Sequence, residues 1–183
     1  MSHDMTACNE TLREFQRLIE EHKNAPWTGP LRTGVDLGTA NIVLAVVDRE
    51  GRPVAGTTYP STVVRDGVVV DYMGAVRTVT RLKAELEQQL GTVLDAGGCA
   101  IPPGIVSGSV KAIGNVVEAA GFRLTNTVDE PTAAASVLGI TDGAVVDVGG
   151  GTTGISILKD GKVIHVDDEP TGGTHMTLVL AGF

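Results

Sequence analysis

The sequence predicts an α/β protein that consists of one complete unit followed by the beginning of a second, similar unit. Apolar strands alternate with amphipathic helices from Leu31 onward, an order typical of a mixed sheet with helices on its faces. A strand, a glycine-rich turn and a returning strand occur twice, at residues 34–47 and 144–158. Aromatic residues make up only 3% of the 183 residues, so Val, Leu, Ile and Ala must build the core, as in strands buried on both faces.

Residues 1–30 are predicted to form an N-terminal helix and a linker. Apolar side chains recur on one helical face between residues 11 and 22, and residues 24–30 contain proline and glycine. Two interpretations remain open for the helix: it docks on its own domain, or it is a tail that binds a partner.

Residues 31–141 are predicted to be the complete unit, which opens with three antiparallel strands at residues 31–36, 42–47 and 53–58. Apolar residues then recur at helical spacing, and Gly91 ends this helix. The apolar positions are Val76, Val79, Leu82, Leu86 and Leu90.

The rest of this unit is predicted to alternate strands with helices. A short strand at residues 99–101 is followed by a helix that Ser109 caps and Gly121 closes. A strand at residues 122–128 then leads to a helix opened by Pro131, because proline is favoured in a first helical turn.

Residues 142–183 are predicted to repeat the three-stranded opening, with Asp160-Gly161 as a two-residue hairpin turn and a helix that begins near Thr174. We expect this second unit to be incomplete, which suggests a C-terminally truncated chain. Because the edges of an incomplete sheet pair readily with other strands, self-association through this unit is expected.

Both glycine-rich turns have features of a phosphate site. Successive backbone N–H groups form an anion-binding concavity where glycine leaves out the Cβ atom, and threonine adds a hydroxyl donor. In the first turn these residues are Gly38 and Thr39. In the second turn they are Gly149, Gly150, Gly151 and Thr152. A single turn of this kind is better explained as an ordinary strand connection, and it is the repetition that favours the functional interpretation.

Three acidic residues accompany the two turns. Asp36 and Asp147 each end an apolar strand beside a turn, where a carboxylate next to a phosphate requires a hard cation between them. Mg²⁺ fits, since one or two carboxylates and phosphate oxygens usually hold it. Glu130 begins a helix between the two copies; taken alone, it is explained by a favourable interaction with the helix dipole. Together with the turns, the three carboxylates are candidates for one functional site, and Asp36 and Asp147 are the candidate metal ligands.

Composition excludes several classes of protein. The net charge of −8 and the lack of a Lys/Arg block argue against nucleic-acid binding. No apolar run reaches the length of a membrane span, so no membrane association is expected. Cys8 and Cys99 lie far apart without metal-ligand spacing, and we interpret them as free thiols of a cytoplasmic protein.

Three motifs in this order resemble those of the actin, Hsp70 and sugar-kinase superfamily of ATPases. They are DLGT at residues 36–39, DEPTAAA at 129–135 and DVGGGTT at 147–153. Within the Hsp70-like branch, the sequence is most similar to the EutJ family of ethanolamine utilization proteins, through RDGVVVDYMGAV at residues 65–76 and TGG at 171–173. The resemblance implies a ribonuclease-H-like (actin-like ATPase) fold that binds ATP and Mg²⁺ between two domains.

The resemblance also implies a role for each site residue. Asp36 would hold a water-coordinated Mg²⁺ and Asp147 would share its coordination shell, while Glu130 would orient or deprotonate the attacking water. The residues that would contact the phosphates are Gly38, Thr39 and the turn at residues 149–152.

Some residues depart from the Hsp70 pattern. Ala40 and Asn41 stand where Hsp70 proteins have a second threonine and an aromatic residue. The link between Thr58 and Met73 contains no lysine to match the catalytic lysine of that family, and Lys83 is interpreted as a solvated surface charge. Slow hydrolysis, or nucleotide binding as a switch, is therefore the expectation. For this chain alone we expect weak ATP binding and little turnover.

The implied function is that of an Hsp70-like chaperone or reactivating factor. Its partners would be ATP or ADP and the ethanolamine-pathway enzymes, or the bacterial microcompartment that houses them. Two alternatives remain: a catalytically inactive scaffold of the same fold, and a small-molecule kinase of the same superfamily.

Overall fold

A computed structural model describes residues 5–65 and 67–182 and shows two main sheets with helices, which confirms the predicted α/β class. Phe183, the last residue of the predicted second unit, and residues 1–4 of the predicted N-terminal segment lie outside the described residues.

The N-terminal helix α1 spans Thr6–Glu21, so it begins earlier than the sequence pattern predicts. It packs against strand β3 (Pro53–Pro60), where the ring of Phe15 occupies the space that a side chain at Gly56 would need. Leu18 is completely buried. In this structure α1 is therefore docked on its own chain.

The first sheet contains five strands in the order β3-β2-β1-β6-β7. Strands β1 (Arg32–Leu37), β2 (Asn41–Val47) and β3 form the predicted antiparallel meander. Strands β6 (Ala96–Ile101) and β7 (Arg123–Asp129) extend the sheet parallel to β1. A small hairpin of β4 (Val64–Arg65) and β5 (Val68–Val69) precedes the next helix.

Helices α2 (Tyr72–Leu90) and α3 (Ser107–Ala119) contribute buried side chains to the core of the first sheet. Gly91 ends α2 in the left-handed conformation, with φ of 66°, as predicted. The predicted cap at Ser109 is wrong, because α3 already begins at Ser107 after the extended residue Val106. Ser109 lies inside the first turn, where its N–H bonds to the Val106 carbonyl oxygen at 2.9 Å.

Lys83 on α2 is buried, which contradicts the interpretation of this residue as a solvated surface charge. Its Nζ atom lies 2.7 Å from Oε1 of Glu87, one helical turn further on. The same Nζ lies 5.2 Å from the centre of the Phe122 ring. A carboxylate and an aromatic face together compensate the lost hydration of the ammonium group.

The second sheet contains three antiparallel strands in the order β10-β9-β8. These are β8 (Gly143–Val148), β9 (Thr153–Lys159) and β10 (Lys162–Glu169). Asp160 and Gly161 form the predicted turn, with φ of 52° and 71°. Helix α5 (Gly173–Ala181) follows β10.

Helix α4 (Glu130–Leu138) connects the two sheets. It begins where β7 ends, and its buried Ala135 packs with Val145 and Leu158 of the second sheet. The start of α4 therefore lies between the two glycine-rich turns. Across residues 5–65 and 67–182, none of the helices combines the length and hydropathy needed to cross a bilayer.

Candidate functional site

The structure places all nine predicted site residues around one cavity of about 200 Å³. The cavity lies where three parts of the chain meet: the turn between strands β1 and β2, the turn between strands β8 and β9, and the first residue of helix α4. The predicted residues that line it are Asp36, Gly38, Thr39, Glu130, Asp147, Gly149, Gly150, Gly151 and Thr152. Residues separated by more than a hundred positions in the chain thus share one site.

In the first turn, Gly38 is required by a close backbone approach. A Cβ atom at this position would lie 2.8 Å from the carbonyl oxygen of Asn41, a distance that real side chains do not adopt. The tight turn between β1 and β2 brings Thr39 to the cavity, directly after the strand that carries Asp36.

The second turn is hydrogen-bonded to the first residues of helix α5. The carbonyl oxygens of Gly149 and Gly150 accept hydrogen bonds from the N–H groups of Gly173 at 2.9 Å and Thr174 at 3.0 Å. The N–H of Gly149 donates to the carbonyl oxygen of Thr152 at 2.9 Å, so it is already used within the turn. The N–H groups available to an anion are therefore those that follow Gly149.

Glu130 is the first residue of α4, and the side chain of Asp129 caps the helix by accepting the N–H of Thr132 at 2.9 Å. Burial raises the pKa of Glu130 to about 8, and the negative charges of Asp36, Asp147, Asp168 and Asp129 add to the shift. The neutral carboxyl is therefore the favoured form of Glu130 at pH 7 in the chain by itself.

The pKa values of Asp36 and Asp147 are raised as well. Burial and the charge of Asp147 raise the pKa of Asp36 to about 6, and burial raises the pKa of Asp147 as well. Among the described residues that line the cavity there is no lysine or arginine to compensate these charges. The site is thus built to receive positive charge from outside the chain.

A divalent cation fits this arrangement. Oδ1 of Asp36 is buried and has no hydrogen-bond partner, as expected of an oxygen that is meant for a ligand. Within the described part of the chain, no three His, Cys, Asp or Glu side chains form a metal cluster of their own. A cation held here would take Asp36 and Asp147 as protein ligands and complete its shell with water and ligand oxygens, as Mg²⁺ usually does.

Asp168 is a fourth carboxylate of this region that the sequence motifs did not reveal. In the second sheet Asp147 pairs with Gly154, which pairs with Asp168, so both aspartates project from the same face. Burial raises the pKa of Asp168, and a hydrogen bond from the Thr152 hydroxyl offsets part of that rise. Its Oδ1 is also buried without a partner among the described residues.

The fold places the chain in the class of proteins with an actin-like ATPase fold. Residues 56–181 match the family described as MreB/Mbl protein, and the chain belongs to this family. The crystal structure of MreB5 of Spiroplasma citri bound to ADP shares the fold, with a TM-score of 0.63 at 21% identity over 79% of this chain and 53% of that one. The predicted ribonuclease-H-like fold is therefore confirmed.

The predicted resemblance to EutJ proteins is confirmed as well. The chain is 44% identical over 182 residues to the ethanolamine utilization protein EutJ of Escherichia coli (strain K12), covering 100% of this chain and 64% of that protein. The crystal structure of ethanolamine utilization protein EutJ from Carboxydothermus hydrogenoformans superposes with a TM-score of 0.90 at 52% identity, over 96% of this chain and 65% of that chain. The chain thus spans somewhat less than two thirds of these relatives.

Proposed function

We propose that this chain carries the phosphate and metal site of a nucleotide-binding protein that acts in ethanolamine utilization. The observation that supports the proposal is the convergence of two glycine-rich turns and three carboxylates on one small cavity. Similarity to EutJ proteins supports the pathway, and the ADP bound to a fold relative supports the class of ligand.

Each group of residues has its own task in the proposed site. Asp36 and Asp147 hold Mg²⁺, whose charge offsets both the carboxylates and the phosphates of ATP or ADP. From the first turn Gly38 and Thr39 contact the β- and γ-phosphates, and the turn at residues 149–152 contacts them from the second sheet.

Glu130 is proposed to orient the attacking water or accept its proton. In the absence of a cation its carboxyl is neutral at pH 7, because its pKa is raised to about 8. Mg²⁺ beside Asp36 and Asp147 would supply the positive charge that lowers this pKa and makes Glu130 a base. Hydrolysis at this site should therefore depend on Mg²⁺, and a nucleotide-controlled switch does not need fast turnover.

The cellular role we propose is that of a chaperone or reactivating factor for ethanolamine-pathway enzymes, in the cytoplasm or at their microcompartment. ATP-dependent association of the chain with such an enzyme would support this role. ADP production that appears only with a small acceptor molecule would instead support a kinase. Association without any nucleotide dependence would support an inactive scaffold.

Calorimetric titration of the chain with Mg-ATP tests the site itself. We expect micromolar or weaker affinity that disappears when EDTA removes the metal, and at least about a tenfold loss in Asp36→Asn. The matched control is Glu118→Gln, an exposed residue of α3 whose replacement changes the net charge equally. Equal affinity in both variants would contradict the site, and submicromolar affinity would contradict the expected weak binding.

A further inference from the structure

Strand β9 presents three alternate residues to helix α4, and each makes a different kind of contact. Gly154, Ser156 and Leu158 are all buried. A Cβ atom at Gly154 would lie 3.0 Å from Pro103 and 3.4 Å from Pro131, so the missing side chain makes room for these prolines. Leu158 belongs to the apolar cluster under α4, and Ser156 lies between the two, with no exposed surface.

Ser156 connects the second sheet to the first turn of α4 through hydrogen bonds. Its hydroxyl donates to Oδ1 of Asp129 at 3.0 Å, and the same oxygen accepts the N–H of Thr132 at 2.9 Å. Oγ of Ser156 lies 3.1 Å from Oγ1 of Thr132. Because a hydroxyl has one hydrogen, and that of Ser156 is given to Asp129, the Thr132 hydroxyl is the donor in this second contact.

Helix capping alone does not require such a connection. Asp71 caps α2 by accepting the N–H of Gly74 at 2.8 Å, and in the described part of the chain no side chain from a second sheet joins it. At α4, by contrast, the cap is bonded to a buried residue of the strand that follows the second glycine-rich turn. The first residue of α4 is therefore held in place relative to that turn.

We propose that Ser156 is a positioning residue that fixes Glu130 relative to the second glycine-rich turn through the Asp129 carboxylate. This inference rests on the proposed function, in which Glu130 acts beside the phosphates. The hydrogen-bonded Asp129–Ser156–Thr132 network, in which Ser156 is buried and the other two side chains are partly buried, would then align a residue from the first unit with a turn from the second. Small misplacements of a catalytic group lower rates strongly, so the alignment matters for turnover more than for binding.

The test compares Ser156→Ala with Ser136→Ala, which makes the same chemical change at an exposed position of α4. In single-turnover hydrolysis of Mg-ATP we expect Ser156→Ala to lower the rate about tenfold while the affinity changes by less than about twofold. When Glu130 is already replaced in Glu130→Gln, adding Ser156→Ala should lower the rate by less than about twofold, because coupled residues are not additive. An additive loss in that background would overturn the proposal.

Amide hydrogen exchange of the chain without nucleotide gives a readout that does not depend on activity. The Thr132 amide should exchange about tenfold faster in Ser156→Ala and at the wild-type rate in Ser136→Ala. If the Thr132 amide exchanges at the wild-type rate in Ser156→Ala, the positioning role is overturned, whatever the rate of hydrolysis. If the exchange rate does change in Ser156→Ala but the wild-type chain binds no Mg-ATP, the connection to α4 is supported and the proposed function is contradicted.

Discussion

A Cβ atom at Gly151 would lie 2.7 Å from the hydroxyl oxygen of Thr39 and 3.0 Å from its Cβ. The two glycine-rich turns are therefore in contact, and there is no space for a side chain at Gly151. At the neighbouring position, a Cβ atom at Gly150 would lie 2.9 Å from the Cβ of Ala40. The contact explains why the repeated turns form one site rather than two.

Gly151→Ala is expected to force the two turns apart. Overpacking of this kind destabilises a fold by about 1–3 kcal/mol, and separation of the turns should abolish measurable Mg-ATP binding. Urea unfolding and calorimetric titration measure the two effects. Gly108→Ala is the control, because nothing lies within 4 Å of a Cβ at that position of α3 and alanine favours a helix. Unchanged Mg-ATP affinity in Gly151→Ala would contradict a shared site.

Glu130→Gln is expected to change how stability depends on pH. The folded chain raises the pKa of Glu130 from 4.5 to about 8, so it holds a proton that the unfolded chain has lost between these values. The free energy of unfolding contributed by this group is therefore present below pH 4.5 and falls as the pH rises through about 8. Asp36, Asp147 and Asp168 have raised pKa values and act in the same direction.

At pH 8 without metal, Glu130→Gln should therefore be more stable than the wild type by at least about 1.4 kcal/mol, the equivalent of one pKa unit. At pH 4.5 the two proteins should be nearly equal. Chemical unfolding across this pH range measures the difference. A wild-type chain that gains stability relative to Glu130→Gln as the pH rises would contradict the clustered carboxylates.

Glu87 and Lys83 on α2 should contribute unequally to stability. Burial raises the pKa of Glu87, but hydrogen bonds from Lys83 and the Leu94 N–H outweigh it and leave the pKa lowered. Glu87→Leu removes both bonds and leaves Lys83 buried without its partner, at a cost of about 1–3 kcal/mol, whereas Lys83→Met keeps the bond from Leu94 and should cost less.

Urea unfolding at pH 7 measures both variants. Because the pKa of Glu87 is lowered on folding, its contribution is present above the unfolded pKa of about 4.5 and is lost as the pH falls. The penalty of Glu87→Leu should therefore shrink in acid. If Glu87→Leu lowered the free energy of unfolding equally at pH 7 and in acid, or if Lys83→Met lowered it more than Glu87→Leu does, the ion pair would not be the cause of the lost stability.

Local patterns predicted the parts of the fold that local chemistry determines. Val79, Leu82 and Leu86 follow the helical period and are buried, and Gly91 and Gly161 occupy the left-handed conformations that their turns require. The convergence of the nine proposed site residues could be predicted because short motifs hold them at two strand ends, in two turns and at one helix start. Their roles in binding and hydrolysis remain predictions.

Residues whose surroundings come from distant parts of the chain could not be predicted in this way. Lys83 looks like a surface charge until α2 is folded beside Phe122. Asp168 lies among neighbouring acids, and only the register of β10 on β9 places it on the face of Asp147. Ser156 is an ordinary strand residue in the sequence, and its bond to Asp129 depends on the packing of α4 against the second sheet.

The most direct test of the shared phosphate and metal site is calorimetric titration of the chain with Mg-tripolyphosphate, compared with adenosine monophosphate. The cavity is lined by groups for phosphate and cation, so the tripolyphosphate should bind with an affinity within about tenfold of that of Mg-ATP, a difference of about 1.4 kcal/mol. Adenosine monophosphate should bind far more weakly, and Asp36→Asn should abolish the tripolyphosphate signal. Tripolyphosphate that fails to bind while Mg-ATP does, or that binds Asp36→Asn as well as wild type, would contradict the account.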